Sequence, residues 1–191
     1  MRSVAFTLGF MLVATGACAS HSMDNGDSIA AASRSQPPAT PSLTDANIAA
    51  IVVAANNIDI KNGELALERS GRSDIRAFAQ TMITDHSGVN KAAVDLVTKL
   101  KVAPVENATS AGLVASADKT RATLAGKTGL DFDRAYIANE VDYHRAVLSA
   151  IDDALIPAVQ NAELRALLVA VRPAVAAHLQ HAESLRQQVG N

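Results

Sequence analysis

The stretch Ser73 to Leu100 reads SDIRAFAQTMITDHSGVNKAAVDLVTKL, and it decides the fold. Apolar residues recur at Ile75, Phe78, Ala79, Met82, Val89, Ala93, Leu96, Val97 and Leu100. Steps of three and four place them on one face of an α-helix turning about 100° per residue. Ser73 is expected to cap its start, with Asp74 in the first turn. His86 interrupts the apolar face at its centre, four residues after Met82 and seven before Ala93. Asp85 sits at the edge of that face.

The same pattern extends in both directions. Ser42 is expected to cap a preceding helix whose stripe is Ile48, Ile51, Val52, Ala55, Ile58, Leu65 and Ala66, ending near Gly71. The link to the next helix is so short that the two must form an antiparallel hairpin. A second hairpin begins near Asp131. Its first helix carries Phe132, Tyr136, Tyr143, Val147, Ala150, Ile151 and Ala154 and stops near Pro157. Its second helix runs from about Asn161 to Gln188, through Leu164, Leu167, Leu168, Val171, Val175, Leu179, Ala182 and Leu185, with Pro173 inside it. Between the hairpins lie the 29 residues Val102 to Leu130, with a short helix expected over 116–127. Antiparallel neighbours need only ~2–8 connecting residues. A connection this long can run back along a helix of ~43 Å, which makes the second and third long helices parallel. The expected fold is all-α: a ferritin-like four-helix bundle over 42–191, built of two antiparallel hairpins joined by a long crossover.

Composition agrees. Of 191 residues 38 are Ala, aromatics are 3% and Trp is absent, which suits helices and disfavours a strand-rich fold. A net charge of −2 gives no basic surplus for nucleic acid. The single cysteine, Cys18, cannot form an intramolecular disulfide or a cysteine-based zinc site. It lies at the end of a leader, residues 1–18, with Arg2 at the front and an apolar run from Val4 to Ala14 too short to span a bilayer. Two processing readings stay open: an A-x-A cut before Ser20, or a lipobox, Gly16-Ala17-Cys18, that makes Cys18 a lipidated N-terminus. Thr15 stands where a lipobox usually has Leu. The lipobox reading is preferred, and Ala19 after the cysteine then resembles an outer-membrane sorting signal. Residues 19–41 hold Pro37, Pro38 and Pro41 without periodicity and read as a flexible tether. The expected location is periplasmic and anchored to the outer membrane by lipid.

Each long helix places an ionisable residue on its apolar face. Asp59 lies seven after Val52 and seven before Ala66. Glu140 lies four after Tyr136 and seven before Val147, with His144 one turn on, and His178 lies seven after Val171 and seven before Leu185. Their distances from the helix ends are similar: His86 is 13 after Ser73, His144 is 13 after Asp131, Asp59 is 12 before Gly71 and His178 is 17 after Asn161. At ~1.5 Å per residue all four reach mid-bundle. Burying such groups without partners is costly. Two readings follow, a hydrogen-bonded polar core or a site for Zn, Cu, Ni or Fe held by Asp59, His86, Glu140, His144 and His178. Asp85, Tyr136 and Tyr143 would support it, the tyrosines as core aromatics whose hydroxyls join the network.

These stretches resemble a ferritin-like family of bacterial envelope proteins, known as a domain of unknown function and often described as outer-membrane proteins. The resemblance rests on Asp59 to Ala66 (DIKNGELA), Ile75 to His86 (IRAFAQTMITDH), Phe132 to Tyr136 (FDRAY), His144 and Pro173 to Leu179 (PAVAAHL). It implies a carboxylate on the first helix, an Asp-His pair on the second and a His on each of the other two. Asp59, Asp85 with His86, His144 and His178 fill those places. Two departures stand out: Asp59 replaces the usual Glu, and Tyr143 stands where an acidic residue often precedes the third helix's His.

Di-iron oxidation needs Glu-x-x-His on two helices. The residues three before His86, His144 and His178 are Ile83, Val141 and Val175, so the spacing argues against a ferritin-like redox enzyme. No nucleophile elbow, phosphate loop, HExxH or CxxC motif is present. The reading is therefore a non-catalytic, envelope-tethered module that binds a transition metal. The alternative is a structural or interaction protein of the envelope or stress response. A further apolar line, Val53, Ile60 and Leu67, reads either as a partner or self-association surface or as packing beneath the crossover, and the latter is preferred.

Overall fold

The computed structural model describes residues 43–190. The leader, Cys18, the tether and Ser42 lie outside them. Among the described residues every regular element is helical and none is a strand: α1 (Asp45–Arg69), α2 (Ser73–Leu100), α3 (Ala108–Ala125), α4 (Gly129–Ala150), a π-helical turn (Ile151–Leu155), the short α5 (Ile156–Ala158) and α6 (Ala162–Gly190).

Thr44 caps α1. Its hydroxyl accepts from the Asn47 N–H, and the Asn47 side chain accepts from the Thr44 N–H, a reciprocal capping box. Ser73 is the first helical residue of α2 rather than its cap. Arg72 holds the cap position without a side-chain bond, and Asp74 accepts from the Ile75 N–H instead. The crossover helix is longer than the sequence suggested. Asn107 caps it by accepting from Thr109 and Ser110, so the helix starts at Ala108. Gly129 opens α4 with φ +54°, a left-handed conformation that glycine adopts without strain. Asn161 caps α6 by accepting from Glu163 and Leu164, and Pro173 sits inside α6 without ending it.

Contacts fix the directions of the helices. Val105, just past α2, donates to Ala46 O in the first turn of α1. At the other end, Leu124 of α3 shares a core cluster with Ala66, Ile75, Phe132 and Val189. Thus α1, α3 and α6 run one way, and α2 and α4 the other. On α3 the buried residues are Ser110, Ala117 and Leu124, a line of spacing seven. Val53, Ile60 and Leu67 are half-buried, and Leu67 packs against the core cluster that holds Ile75 and Phe78 of α2 and Leu124 of α3. Gly63 is where α1 and α2 approach closely: a Cβ there would lie 2.9 Å from Ala79 O and 2.9 Å from Ile83 Cγ1.

The core has two halves. One gathers Phe78, Met82, Phe132, Tyr136, Ile137 and Leu185. The other gathers Ile48, Ile51, Ile151, Leu155, Leu164 and Leu168. The buried polar residues Asn56, Asp59, His86, Glu140, His144 and His178 lie between them.

Candidate metal centre

Four helices converge here. α1 supplies Asn56 and Asp59, α2 supplies Asp85 and His86, α4 supplies Glu140, Tyr143 and His144, and α6 supplies His178. Each position follows from its place in an apolar stripe, which turns the side chain inward with its neighbours. Asp59, His86, Glu140, His144 and His178 are all buried, Glu140 and His144 completely. The three imidazoles form a near-equilateral triangle, with ring centroids 5.8 Å apart for His86–His144, 5.3 Å for His86–His178 and 5.5 Å for His144–His178.

Hydrogen bonds fix the tautomer of each ring. His144 Nδ1 lies 2.9 Å from Glu140 O, which can only accept, so Nδ1 carries the proton and Nε2 a lone pair. His86 Nδ1 lies 2.7 Å from Asn56 Oδ1, and the Asn56 amide is oriented by its donation to Val52 O at 2.8 Å. Nδ1 therefore donates, and His86 Nε2 is left with the lone pair. His178 Nε2 lies 2.9 Å from Asp85 Oδ2 and donates to it, leaving the lone pair on Nδ1. His86 Nε2, His144 Nε2 and His178 Nδ1 have no hydrogen-bond partner. Asp59 Oδ2 stands 3.3 Å from His86 Nε2. Burial, with the neighbouring imidazoles, lowers His86 to about 3. Burial also lowers His144 to about 4. Both rings are therefore neutral at physiological pH and available as ligands.

The carboxylates form an adjoining group. Asp59 and Glu140 lie against each other, and Glu140 Oε2 is 3.7 Å from His144 Nδ1. Burial pushes the Glu140 carboxyl up to about 7. Burial, then the charge of Glu140, drives Asp59 well above the usual carboxylate range. Among the described residues two sets of side chains offer ligand atoms within 4.8 Å of one another: His86, His144 and His178, and Asp59, Glu140 and His144. The five residues singled out in the sequence thus fall into two groups meeting at His144.

Of the supporting residues, Asp85 holds His178, whereas the two tyrosine hydroxyls do not join the histidines. The Tyr143 hydroxyl donates to Ala55 O at 3.0 Å, tying α4 to α1 rather than joining the histidines. The Tyr136 hydroxyl has no partner, and its ring stacks on Phe132. His181 is exposed and packs edge-on against Phe78. Sequence reasoning missed Asn56 and Asn62, both buried. Their signal was present: residues 56, 59, 62, 63 and 66 share one face at spacings of three and four. An apolar cavity of about 150 Å³ extends from the histidines towards the π-helical turn, with Val89, Val147, Ile151 and Leu168 in its wall.

A family profile for a domain of unknown function, DUF4142, matches residues 30–185. The chain belongs to this DUF4142 family. No curated protein matches it. Among solved structures it is similar to "CopM in the Cu(II)-bound form", at 16% identity and a TM-score of 0.60, covering 76% of this chain and 98% of the other. At that identity the likeness concerns the fold. No helix among the described residues is long and apolar enough to cross a membrane.

Proposed function

We propose that this DUF4142 protein binds a transition metal of the copper class at His86, His144 and His178, and that it captures or carries the ion rather than performing catalysis. The observation that carries the reading is the set of three imidazole lone pairs. They are buried, mutually close and unpartnered, and each ring's other nitrogen is held by a separate acceptor. Such outer hydrogen bonds orient metal-ligating histidines and raise their basicity. A purely structural network would pair these atoms, because a buried polar group without a partner costs about 1–3 kcal/mol. Three imidazoles suit Cu(II), Zn(II) or Ni(II). Similarity to a protein solved with Cu(II) supports copper first.

In this reading the helices form a ferritin-like bundle at 42–191, tethered by residues 19–41 to a lipidated Cys18 at the outer membrane. The test is elemental analysis and Cu(II) titration of the purified protein. One tightly held copper per chain is expected, lost in the His86→Ala, His178→Ala double variant. Absence of copper, zinc and nickel after challenge, with an unchanged melting temperature, refutes the reading. Palmitate labelling that vanishes in Cys18→Ser is the expected sign of the anchor.

A further inference from the structure

The second group of side chains differs in kind from the histidine triangle. Asp59 Oδ1, Asn62 Oδ1, Glu140 Oε2 and Tyr136 Oη are all buried oxygens without a hydrogen-bond partner. Their residues are 2%, 2%, 0% and 0% exposed. The Asn62 side chain reaches Glu140, so its amide belongs to the same layer. Asp59 and Asn62 are three apart on α1, and Tyr136 and Glu140 four apart on α4, so each pair shares a helix face. Two buried carboxyls meet here, and among the described residues no Lys or Arg pairs with either. The nearest basic groups are His86, whose Nε2 lies 3.3 Å from Asp59 Oδ2, and His144, whose Nδ1 lies 3.7 Å from Glu140 Oε2 and is already directed at Glu140 O. Two carboxyls buried together without a Lys or Arg partner call for a cation or protons.

We infer that Asp59, Glu140 and Asn62 form a second cation position bordering the three-histidine site, built for a hard divalent ion such as Mn(II). Oxygen donors from carboxylates and a carboxamide favour hard ions, whereas imidazole nitrogens favour copper. The two positions thus divide the interior by donor chemistry. The oxygen position has its own ligands and stands whether or not copper occupies the histidines. His144 and Asp59 form the border, since His144 lies within 4.8 Å of the oxygen ligands and Asp59 Oδ2 lies 3.3 Å from His86 Nε2.

The experiment titrates the purified protein with Mn(II), with and without one equivalent of Cu(II). Bound manganese is read from loss of the six-line EPR signal of the free ion. One Mn(II) per chain is expected in both conditions. Glu140→Gln and Asp59→Asn should each weaken it at least tenfold, and His86→Phe with His178→Phe should abolish copper binding but keep manganese. Asn62→Ala, which changes no charge, gives a second comparison if either carboxylate variant fails to fold. No manganese binding, or binding unchanged in the variants that fold, overturns the oxygen position while leaving the copper reading intact. Absence of copper binding in the unsubstituted protein, with manganese still bound, overturns the copper reading and leaves the oxygen position standing.

Discussion

Gly63→Ala should destabilise the protein, whereas Gly88→Ala should stabilise it. Both glycines lie inside long helices, where Ala is intrinsically better by ~1 kcal/mol. Gly88 is exposed and a Cβ there meets nothing within 4 Å, so the full gain of ~1 kcal/mol is expected. At Gly63 the new Cβ would stand 2.9 Å from both Ala79 O and Ile83 Cγ1. The Ile83 side chain can swing away, but a backbone carbonyl cannot move without shifting α2. Overpacking of this kind costs ~1–3 kcal/mol, which outweighs the propensity gain and leaves a net loss of ~1 kcal/mol. The effect should also reach the site. Gly63 is one turn from Asp59, and Ile83 is one turn from His86, so widening this contact opens the 3.3 Å gap between Asp59 and His86. Urea unfolding of both variants, with Cu(II) titration, tests this. Two stabilised variants of equal affinity would refute the close approach as a determinant of the site.

The other predictions concern single interactions. Asn56→Ala removes the acceptor that fixes the His86 tautomer and should weaken Cu(II) binding ~10–100-fold without emptying the triangle, as measured by competition titration. Tyr143→Phe deletes the bond to Ala55 O and should cost about 1 kcal/mol of apo stability with little change in metal affinity; a large loss of affinity would place Tyr143 among the ligands. The metal-free protein should have a characteristic pH profile in urea unfolding. Glu140, raised to about 7, contributes stability that is complete below its ordinary 4.5 and lost as pH rises through 7; the raised Asp59 acts in the same direction. His86 and His144, lowered to about 3 and 4, contribute stability that is complete above 6.5 and lost as pH falls through those values. The trends oppose each other between pH 4.5 and 6.5, giving a shallow optimum there. Glu140→Gln should tilt that region so that stability rises with pH, and an unaltered profile would contradict the assignment.

The site's residues were legible because periodicity and helix length together set both face and height. His86, His144 and His178 each sit on an apolar stripe at similar distances from a helix end, and three separate helices therefore converge. What stayed hidden depends on relations between helices. Asn56 and Asn62 share a face with Asp59, but a buried Asn looks like any polar helix residue until His86 and Glu140 are opposite it. The crossover helix, Ala108–Ala125, starts earlier and runs longer than its own residues suggest. Asn107 caps it from a loop stitched to Asn47 O and Ala46 O, and those contacts span about 60 residues. The π-helical turn at Ile151–Leu155 has no local signature beyond the nearby Pro157.

The three outer partners of the imidazoles differ in one further respect. Asn56 and the Glu140 carbonyl are enclosed, but the Asp85 side chain is 47% exposed. Water or a competing solute can therefore loosen His178 by displacing a single hydrogen bond at the α2–α6 seam. Releasing His86 or His144 requires separating packed helices. For the copper site proposed above, exchange with the surroundings would then have a preferred door, its speed governed by surface chemistry at Asp85. Under that proposal, how tightly an ion is held and how quickly it is handed on would be separately adjustable, the first by residues in the interior and the second by one carboxylate at the rim.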